Sequence, residues 1–307
     1  MNITIGIIIV DYHTVLHTIN YINEQLVLNT VSNKIVIVLN DVLQTEVDQI
    51  TSALDCEVIN GQKQIDLQKN IYVILSPENL GYAKGNNLGA KFLVDFFEVD
   101  FLCICNNDLN FRGENPFVKL ISKLEEKLDV GAIGPKIIGL ENENQSPHKF
   151  VSIFDKYLFR NILTPFINLF SKTSRYSAVV DNAQEGYYYR LMGCFIVLRT
   201  KSFIECGMFD EGTFLFGEEA ILSERLLRIS QKCYFVPDVC IVHEHGKTIS
   251  KFFKKRKRLE QEFITDKYYY IKYLGVSEFS VMLAKICFYI FISLNYFKDN
   301  IKSTSKK

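Results

Sequence analysis

Four short runs of unbroken apolar, mostly β-branched residues mark the first third of the chain: Ile5 to Val10, Lys34 to Leu39 (after its leading lysine), Ile71 to Leu75 and Phe101 to Cys105. Runs of this length without polar alternation have the pattern of strands buried on both faces. Between them, segments such as Leu16 to Leu28 and Lys84 to Phe97 carry apolar residues at helical spacing. The pattern therefore reads β-α-β-α through about residue 110 and predicts a parallel sheet joined by right-handed crossovers. In such sheets ligands bind beyond the carboxyl ends of the strands. The residues following each run are thus the ones to inspect: Asp11-Tyr12-His13, Asn40-Asp41, Ser76 to Gly89 and Asn106-Asn107-Asp108.

The pattern loosens from Glu141 to Tyr189, where aromatic clusters, Pro147 and Pro165 interrupt any strand period. Regular structure is expected again at Gly193 to Arg199 (strand), Gly217 to Ser230 (loop into helix) and Cys233 to Val242 (strand material broken at Pro237). Beyond Ser250 lie a basic run, a helix-compatible segment around Asp266 to Tyr270, and an apolar stretch from Phe279 to Phe297. No internal repeat or long low-complexity tract is evident.

With 307 residues the chain is long enough to bury a large core, and one α/β domain with a tail is the simplest division. Lys plus Arg (35) balance Asp plus Glu (35), which gives no indication of a nucleic-acid partner. The charge is unevenly distributed, however. Six of the eight residues from Lys251 to Arg258 are basic, and Lys302 to Lys307 is basic again. The eight cysteines match no paired zinc spacing and mostly sit in apolar runs, so reduced, buried thiols are expected. The N-terminal run is strand-length rather than signal-peptide-length, which predicts a cytoplasmic location.

Several strand-end residues could carry chemistry. A carboxylate at the end of a buried strand, as Asp108 is, can hold a divalent cation that neutralises a diphosphate, although Asn and Asp are also ordinary turn formers. Glu78 to Gly89 sets glycines and asparagines between a strand and a helix. That arrangement allows close backbone approach to a nucleotide, or simply tight packing. Glu218-Glu219 open a helix, where carboxylates complement the dipole and stay ionised, as a general base must. His243 and His245 share a strand face, and imidazole with carboxylate suits manganese or magnesium sites; an exposed structural histidine is the plainer alternative.

Taken in order, these segments resemble glycosyltransferase family 2, the inverting enzymes of the GT-A fold, and especially the rhamnosyltransferase-like branch that builds bacterial surface polysaccharides. The resemblance runs from about Ile3 to Ser250. It rests on Tyr12-His13, the Glu78 to Gly89 loop, Asn106-Asn107-Asp108, Val130 to Lys136, Gly193-Cys194-Phe195, Gly207 to Glu211 and Phe214 to Glu219. It implies an α/β fold with a Rossmann-like, mainly parallel sheet flanked by helices. The implied catalytic domain covers 1–250, with a nucleotide-binding half at 1–110 and an acceptor-binding half at 111–250, followed by a helical, membrane-associating tail at 251–307. By resemblance, Asp108 and His243 would serve a Mn²⁺ or Mg²⁺ ion and Glu219, with Glu218 as second choice, would be the catalytic base. Asp11, Tyr12, His13, Asn40, Asn79, Gly81, Lys84, Asn87 and Asn107 would line the nucleotide-sugar site. The chain departs from the usual pattern at His13 (commonly Asn), at Leu39-Asn40-Asp41 (an Asp after the second strand), at Glu219 (commonly Asp) and at Ile221 (often a carboxylate). The last departure suggests a different acceptor contact. The absence of tryptophan excludes the QxxRW motif of processive relatives, so one sugar would be transferred at a time.

The expected partners are a nucleotide-sugar donor, a glycan or lipid-linked oligosaccharide acceptor and the cytoplasmic membrane surface. Phe279 to Phe297 contains Lys285, Ser280, Ser293 and Asn295 and reads as a helix lying at an anionic leaflet rather than crossing it, or else packed on the catalytic domain. Two rivals remain: a sugar nucleotidyltransferase, which lacks support in a basic Gly-rich N-terminal signature, and a non-catalytic membrane-attached assembly protein, favoured by Leu39 and Ile221.

Overall fold

The computed structural model describes residues 3–26, 33–61, 64–113, 115–158, 178–244 and 255–304, without the side chains of 255 and 294–304. The basic run at 251–254, His245, residues 159–177 of the aromatic excursion and the last three lysine-rich positions lie outside the described residues.

The first half follows the predicted alternation. β1 (Ile5–Asp11), α1 (Val15–Tyr21, continuing as one π-helical stretch Ile22–Leu26), β2 (Asn33–Leu39), α2 (Gln44–Ala53), β3 (Cys56–Ile59), β4 (Ile71–Leu75), α3 (Gly81–Phe96) and β5 (Phe101–Cys105) come in sequence. β1 pairs in parallel with β2 and β5, and β4 pairs in parallel with β2 and β3. Alternate residues face opposite sides of the sheet. Ile5, Ile7 and Ile9 join one buried cluster and Ile8 the other, as Ile35 and Ile37 separate from Val36 and Val38. Both faces are covered, which is why these strands read as continuous apolar runs. Helix α3 packs closely on the sheet because a side chain at Gly89 would stand 2.7 Å from Ile8.

The second half breaks the parallel rule. β6 (Leu109–Arg112), α4 (Pro116–Glu126), β7 (Val130–Ile138), β8 (Gly186–Tyr188), β9 (Phe195–Arg199), α5 (Thr200–Glu205), α6 (Glu218–Arg228) and β10 (Lys232–His243) complete a ten-stranded sheet ordered β3-β4-β2-β1-β5-β9-β7-β10-β6, with β8 beside β10. β9 lies antiparallel to both β5 and β7, while β10 is parallel to β7 and antiparallel to β6 and β8. Pro237 does not end β10 as the sequence pattern suggested. The register against β7 shifts between Val236 and Cys240, so the strand passes the proline as a bulge, one of the few places a sheet tolerates proline.

Two helices follow, α7 (Lys255–Lys272) and α8 (Glu278–Thr304). They are fastened to the domain by a third buried cluster in which Ala220 and Ile221 of α6 meet Phe263, Tyr269, Tyr270 and Tyr273 of α7 and Val281, Ala284 and Phe288 of α8. Buried Asp210 adds a polar latch, accepting from Tyr268 (3.0 Å), Lys272 (3.0 Å) and Tyr273, with Arg225 at 3.4 Å. These partners hold its carboxyl well below the ordinary range against the opposing effect of burial. Ile221 is therefore a packing residue under the tail. Among the described residues no helix is long and apolar enough to cross a membrane.

Candidate functional site

The carboxyl ends of β1, β2, β4 and β5 open into a cleft of about 570 Å³. At the end of β1, Asp11 is 1% exposed and accepts from Thr14 N (3.0 Å), Thr14 Oγ1 (2.9 Å), Thr18 Oγ1 (2.5 Å) and Asn107 Nδ2 (3.1 Å). Burial raises its carboxyl, only partly countered by the threonine hydrogen bonds. Tyr12 and Thr14 line the cleft, whereas Asp11 stands behind them as the post around which the turn is tied. His13, in the left-handed region at φ 56°, points away to Glu46 (3.0 Å) and Asp41 (3.4 Å). Burial depresses the imidazole, but those two carboxylates outweigh it and leave its pKa raised.

The loop into α3 is held by an ordered relay. Gly81 N–H donates to Asn79 Oδ1 (2.9 Å), which fixes Asn79 as an acceptor, and Asn40 Nδ2 donates to Asn79 Oδ1 (3.5 Å) and Gly81 O (3.4 Å). Gly81 sits at φ 73°, and a Cβ there would collide with the Phe214 carbonyl oxygen, so this position requires glycine. Tyr82 N–H donates to that same carbonyl (3.1 Å). Asn40, Asn79, Gly81, Tyr82 and Asn86 line the cleft. Lys84 and Asn87 do not. Lys84 is exposed on α3, and buried Asn87 clamps the Phe209 backbone in both directions, at 3.0 and 3.1 Å.

After β5, Asn107 donates to Asp11, Thr14 and Thr18, joining the two strand ends. Asp108 beside it faces His243 from the end of β10, with Oδ1 3.3 Å from Nε2. Gln145 Oε1 lies 2.8 Å from His243 Nδ1 and orients the ring. The oxygen and nitrogen donors of this pair suit a divalent ion such as manganese. Among the described residues no group of three or more His, Cys, Asp or Glu gathers to form a complete cage.

The opposite wall comes from the start of α6. Gly217 at φ 81° turns the chain so that Glu218 and Glu219 enter the first turn of the helix, facing the cleft. Glu219 accepts from Gly193 N–H (3.1 Å) and has Arg190 Nη1 4.0 Å from its second oxygen. A Cβ at Gly193 would strike that carboxylate, so the motif glycine makes room for it. Glu218 is 3% exposed, and its Oε1 has no hydrogen-bond partner among the described residues. Burial, then the charge of Glu219, raises its carboxyl to about 8. Arg258 of α7 also reaches the cleft, held by Glu262 (3.1 Å) and lying over the Phe216 ring at 5.6 Å. The basic run thus supplies a cleft residue. Its sequence neighbourhood suggested only a membrane-facing charge, and the sole hint otherwise was the i, i+4 spacing to Glu262. The cleft therefore brings together Tyr12, Asn40, Asn79, Gly81, Asn107, Asp108, Glu218, Glu219 and His243, and leaves out Asp11, His13, Lys84 and Asn87.

A mixed, mostly parallel sheet flanked by helices, with its cleft at the strand ends and a carboxylate after β5, is the GT-A glycosyltransferase fold. No known family profile matches the chain, and neither does any curated protein. Among solved structures, the chain is similar to a mannosyltransferase from Pyrobaculum calidifontis in complex with GDP-Man and Mn²⁺, with TM-score 0.54 at 10% identity over 94% of this chain and 74% of that one. It is also similar to GalNAc-T7 crystallised with UDP, GalNAc and Mn²⁺, with TM-score 0.51 at 13% identity over 79% of this chain. The match spans 44% of the length of GalNAc-T7. At such identities the likeness is one of fold.

Proposed function

We propose that this protein is a metal-dependent, inverting glycosyltransferase that moves one sugar from a nucleotide-sugar donor to a glycan acceptor, as in the rhamnosyltransferase-like branch of family 2. The observation that carries the reading is the facing pair of walls: Asp108 and His243 on one side of the cleft, Glu218 and Glu219 on the other. The GDP-Man and Mn²⁺ in one fold neighbour, and the UDP, GalNAc and Mn²⁺ in the other, support the same donor chemistry.

Asp108 and His243 would hold the divalent ion, whose remaining ligands would be diphosphate oxygens and water. When bound, the ion supplies charge neutralisation for the departing nucleoside diphosphate. Tyr12, Asn40 and Asn79 bound the nucleotide end, and Arg258 offers a positive charge from the tail. Glu219 takes the proton of the acceptor hydroxyl as that oxygen bonds to the anomeric carbon, while the bond from that carbon to the diphosphate oxygen breaks and its electron pair leaves with the nucleotide. One attacking oxygen with no enzyme nucleophile inverts the configuration.

Nucleotide release from UDP-, dTDP- and GDP-sugars with Mn²⁺ tests the reading. We expect release with one nucleotide class, and a loss of about 10³-fold in Asp108→Ala, equivalent to several kcal/mol of metal-assisted stabilisation. Full activity in that variant would overturn it.

The acceptor is read as lipid-linked, in bacterial surface polysaccharide synthesis, with the protein peripheral on the inner face of the cytoplasmic membrane. The support is α8, whose exposed Phe279, Met282, Ile286, Tyr289 and Ile290 recur at helical spacing beside Lys285, opposite the face packed on α7. Flotation with anionic vesicles should carry the full chain, and replacing Phe279 and Ile286 with serine should leave it in the soluble fraction. Equal flotation of both would exclude this attachment.

A further inference from the structure

The half-buried arginines of this chain differ in how their guanidinium groups are used. Arg199 places Nη2 2.6 Å from the Leu124 carbonyl and 3.3 Å from that of Lys127. Arg225 donates to Met208 O (3.0 Å), to Gly207 O and to Tyr273 Oη (2.9 Å), and pairs with Asp210. Both are structural forks that donate into the protein. Arg190, with a side chain 26% exposed, makes no side-chain hydrogen bond among the described residues, and its one charge partner is Glu219 at 4.0 Å. Five N–H donors in a rigid plane are thus left beside the candidate base.

The backbone that carries this group is held in place. The Arg190 backbone is tied to His148 in both directions (2.9 and 3.2 Å). His148 itself is neutral, its imidazole pushed down to about 2 by burial and then by the Arg190 charge, so the guanidinium supplies the positive charge at this spot. Next to it, Tyr189 is pinned by Glu224 (2.6 Å) and carries the half-exposed Phe150 ring edge-on at 5.2 Å. A guanidinium 4.0 Å from the Glu219 carboxylate of the cleft, with no side-chain hydrogen bond among the described residues, suits a planar or tetrahedral oxyanion bound bidentately.

We propose that Arg190 is a specificity-determining residue on the acceptor side, taking a carboxylate or phosphate carried by the acceptor close to the hydroxyl that Glu219 deprotonates. The proposal rests on Glu219 being the base, and its binding test stands apart from catalysis. The acceptor class it predicts is an anionic glycan or polyol chain.

The test is calorimetric binding of three probes to the full chain, with and without UDP, dTDP or GDP and Mn²⁺: cellohexaose, the corresponding β-linked glucuronic acid hexamer, and a glycerol phosphate hexamer. At least one anionic hexamer should bind about tenfold or more tightly than cellohexaose, a gain of about 1.4 kcal/mol; which one does so separates carboxylate from phosphate. Arg190→Gln should remove that preference while nucleotide affinity stays unchanged, and Lys149→Gln should leave the preference intact. Arg190→Lys, which keeps the charge and loses the fork, should retain only part of it, and it carries the test if the glutamine variant does not fold. Equal binding of neutral and anionic hexamers by the unaltered protein would overturn the proposal, as would a preference that survives both Arg190 variants. Failure of every nucleotide to bind would instead count against the donor-site reading alone.

Discussion

At the ends of β1 and in α3, Asp11 and Asn87 are buried with every close neighbour engaged: hydroxyls, backbone amides and carbonyls, and an asparagine from across the sheet. Across the cleft, Glu218 is equally buried, yet one of its oxygens has no partner among the described residues, and Arg190 meets the neighbouring Glu219 carboxylate only at 4.0 Å. A buried polar group whose hydrogen bonds are complete fixes the backbone in one arrangement. One that is left short is costly to the fold and is where chemistry is to be sought. The backbone around Asp11 and Asn87 is thus held by its scaffold, whereas Glu218 and, among the cleft residues, Asn40 keep an oxygen without a partner among the described residues.

The comparison is broken or sharpened by substitutions on each side. The largest effect should fall at Glu219. Glu219→Gln should lower kcat by about 10²- to 10⁴-fold, the usual contribution of a general base, with little change in donor KM; steady-state kinetics at saturating donor would read it. Glu218→Gln should give an intermediate, pH-dependent effect on stability. With its carboxyl raised from 4.5 to about 8, the folded protein keeps a proton that the unfolded chain releases. The stability contributed by this group is therefore full below about pH 4.5 and declines as pH rises towards about 8. Urea unfolding at pH 5 and pH 8.5 should show the unaltered protein losing stability between the two, and Glu218→Gln losing less by about 1–3 kcal/mol, the cost of burying an uncompensated polar group. An identical loss in both would mean Glu218 is ionised throughout. The smallest effect belongs to Lys84→Gln, on the outer surface of α3. Donor KM should change less than about twofold, and a tenfold rise would mean that the lysine swings into the cleft when nucleotide binds.

Much of this arrangement could be read from the chain. The four apolar runs are strands because both faces of the sheet are covered, and Asp108 after β5 and Glu219 in the first turn of α6 both line the cleft. Asp11, His13 and Asn87 were harder. A polar residue after a strand can face the ligand or the next loop, and the choice depends on partners as distant as Asn107, Glu46 and Phe209. The antiparallel insertion of β9 between β5 and β7 was hidden for a related reason: an apolar strand buried on both faces carries no mark of its direction. Arg258 lay in a basic cluster whose composition suggested a surface, and only the packing of Ile221, Tyr269 and Tyr270 brings its helix over the cleft.

The Asp210 latch and the Ile221 cluster bear on how shortened forms of the protein should be designed. A cut after residue 250 falls where the sequence invites one, yet it would uncover Ala220 and Ile221 and strip Asp210 of Tyr268, Lys272 and Tyr273. The fragment would carry a new sticky surface against the very helix that holds Glu219. Ending the chain beyond Tyr273 would keep the Asp210 latch and the contact of α7 with Ala220 and Ile221, and would uncover only the part of the cluster that Phe288 of α8 covers, around Tyr157 and Phe263.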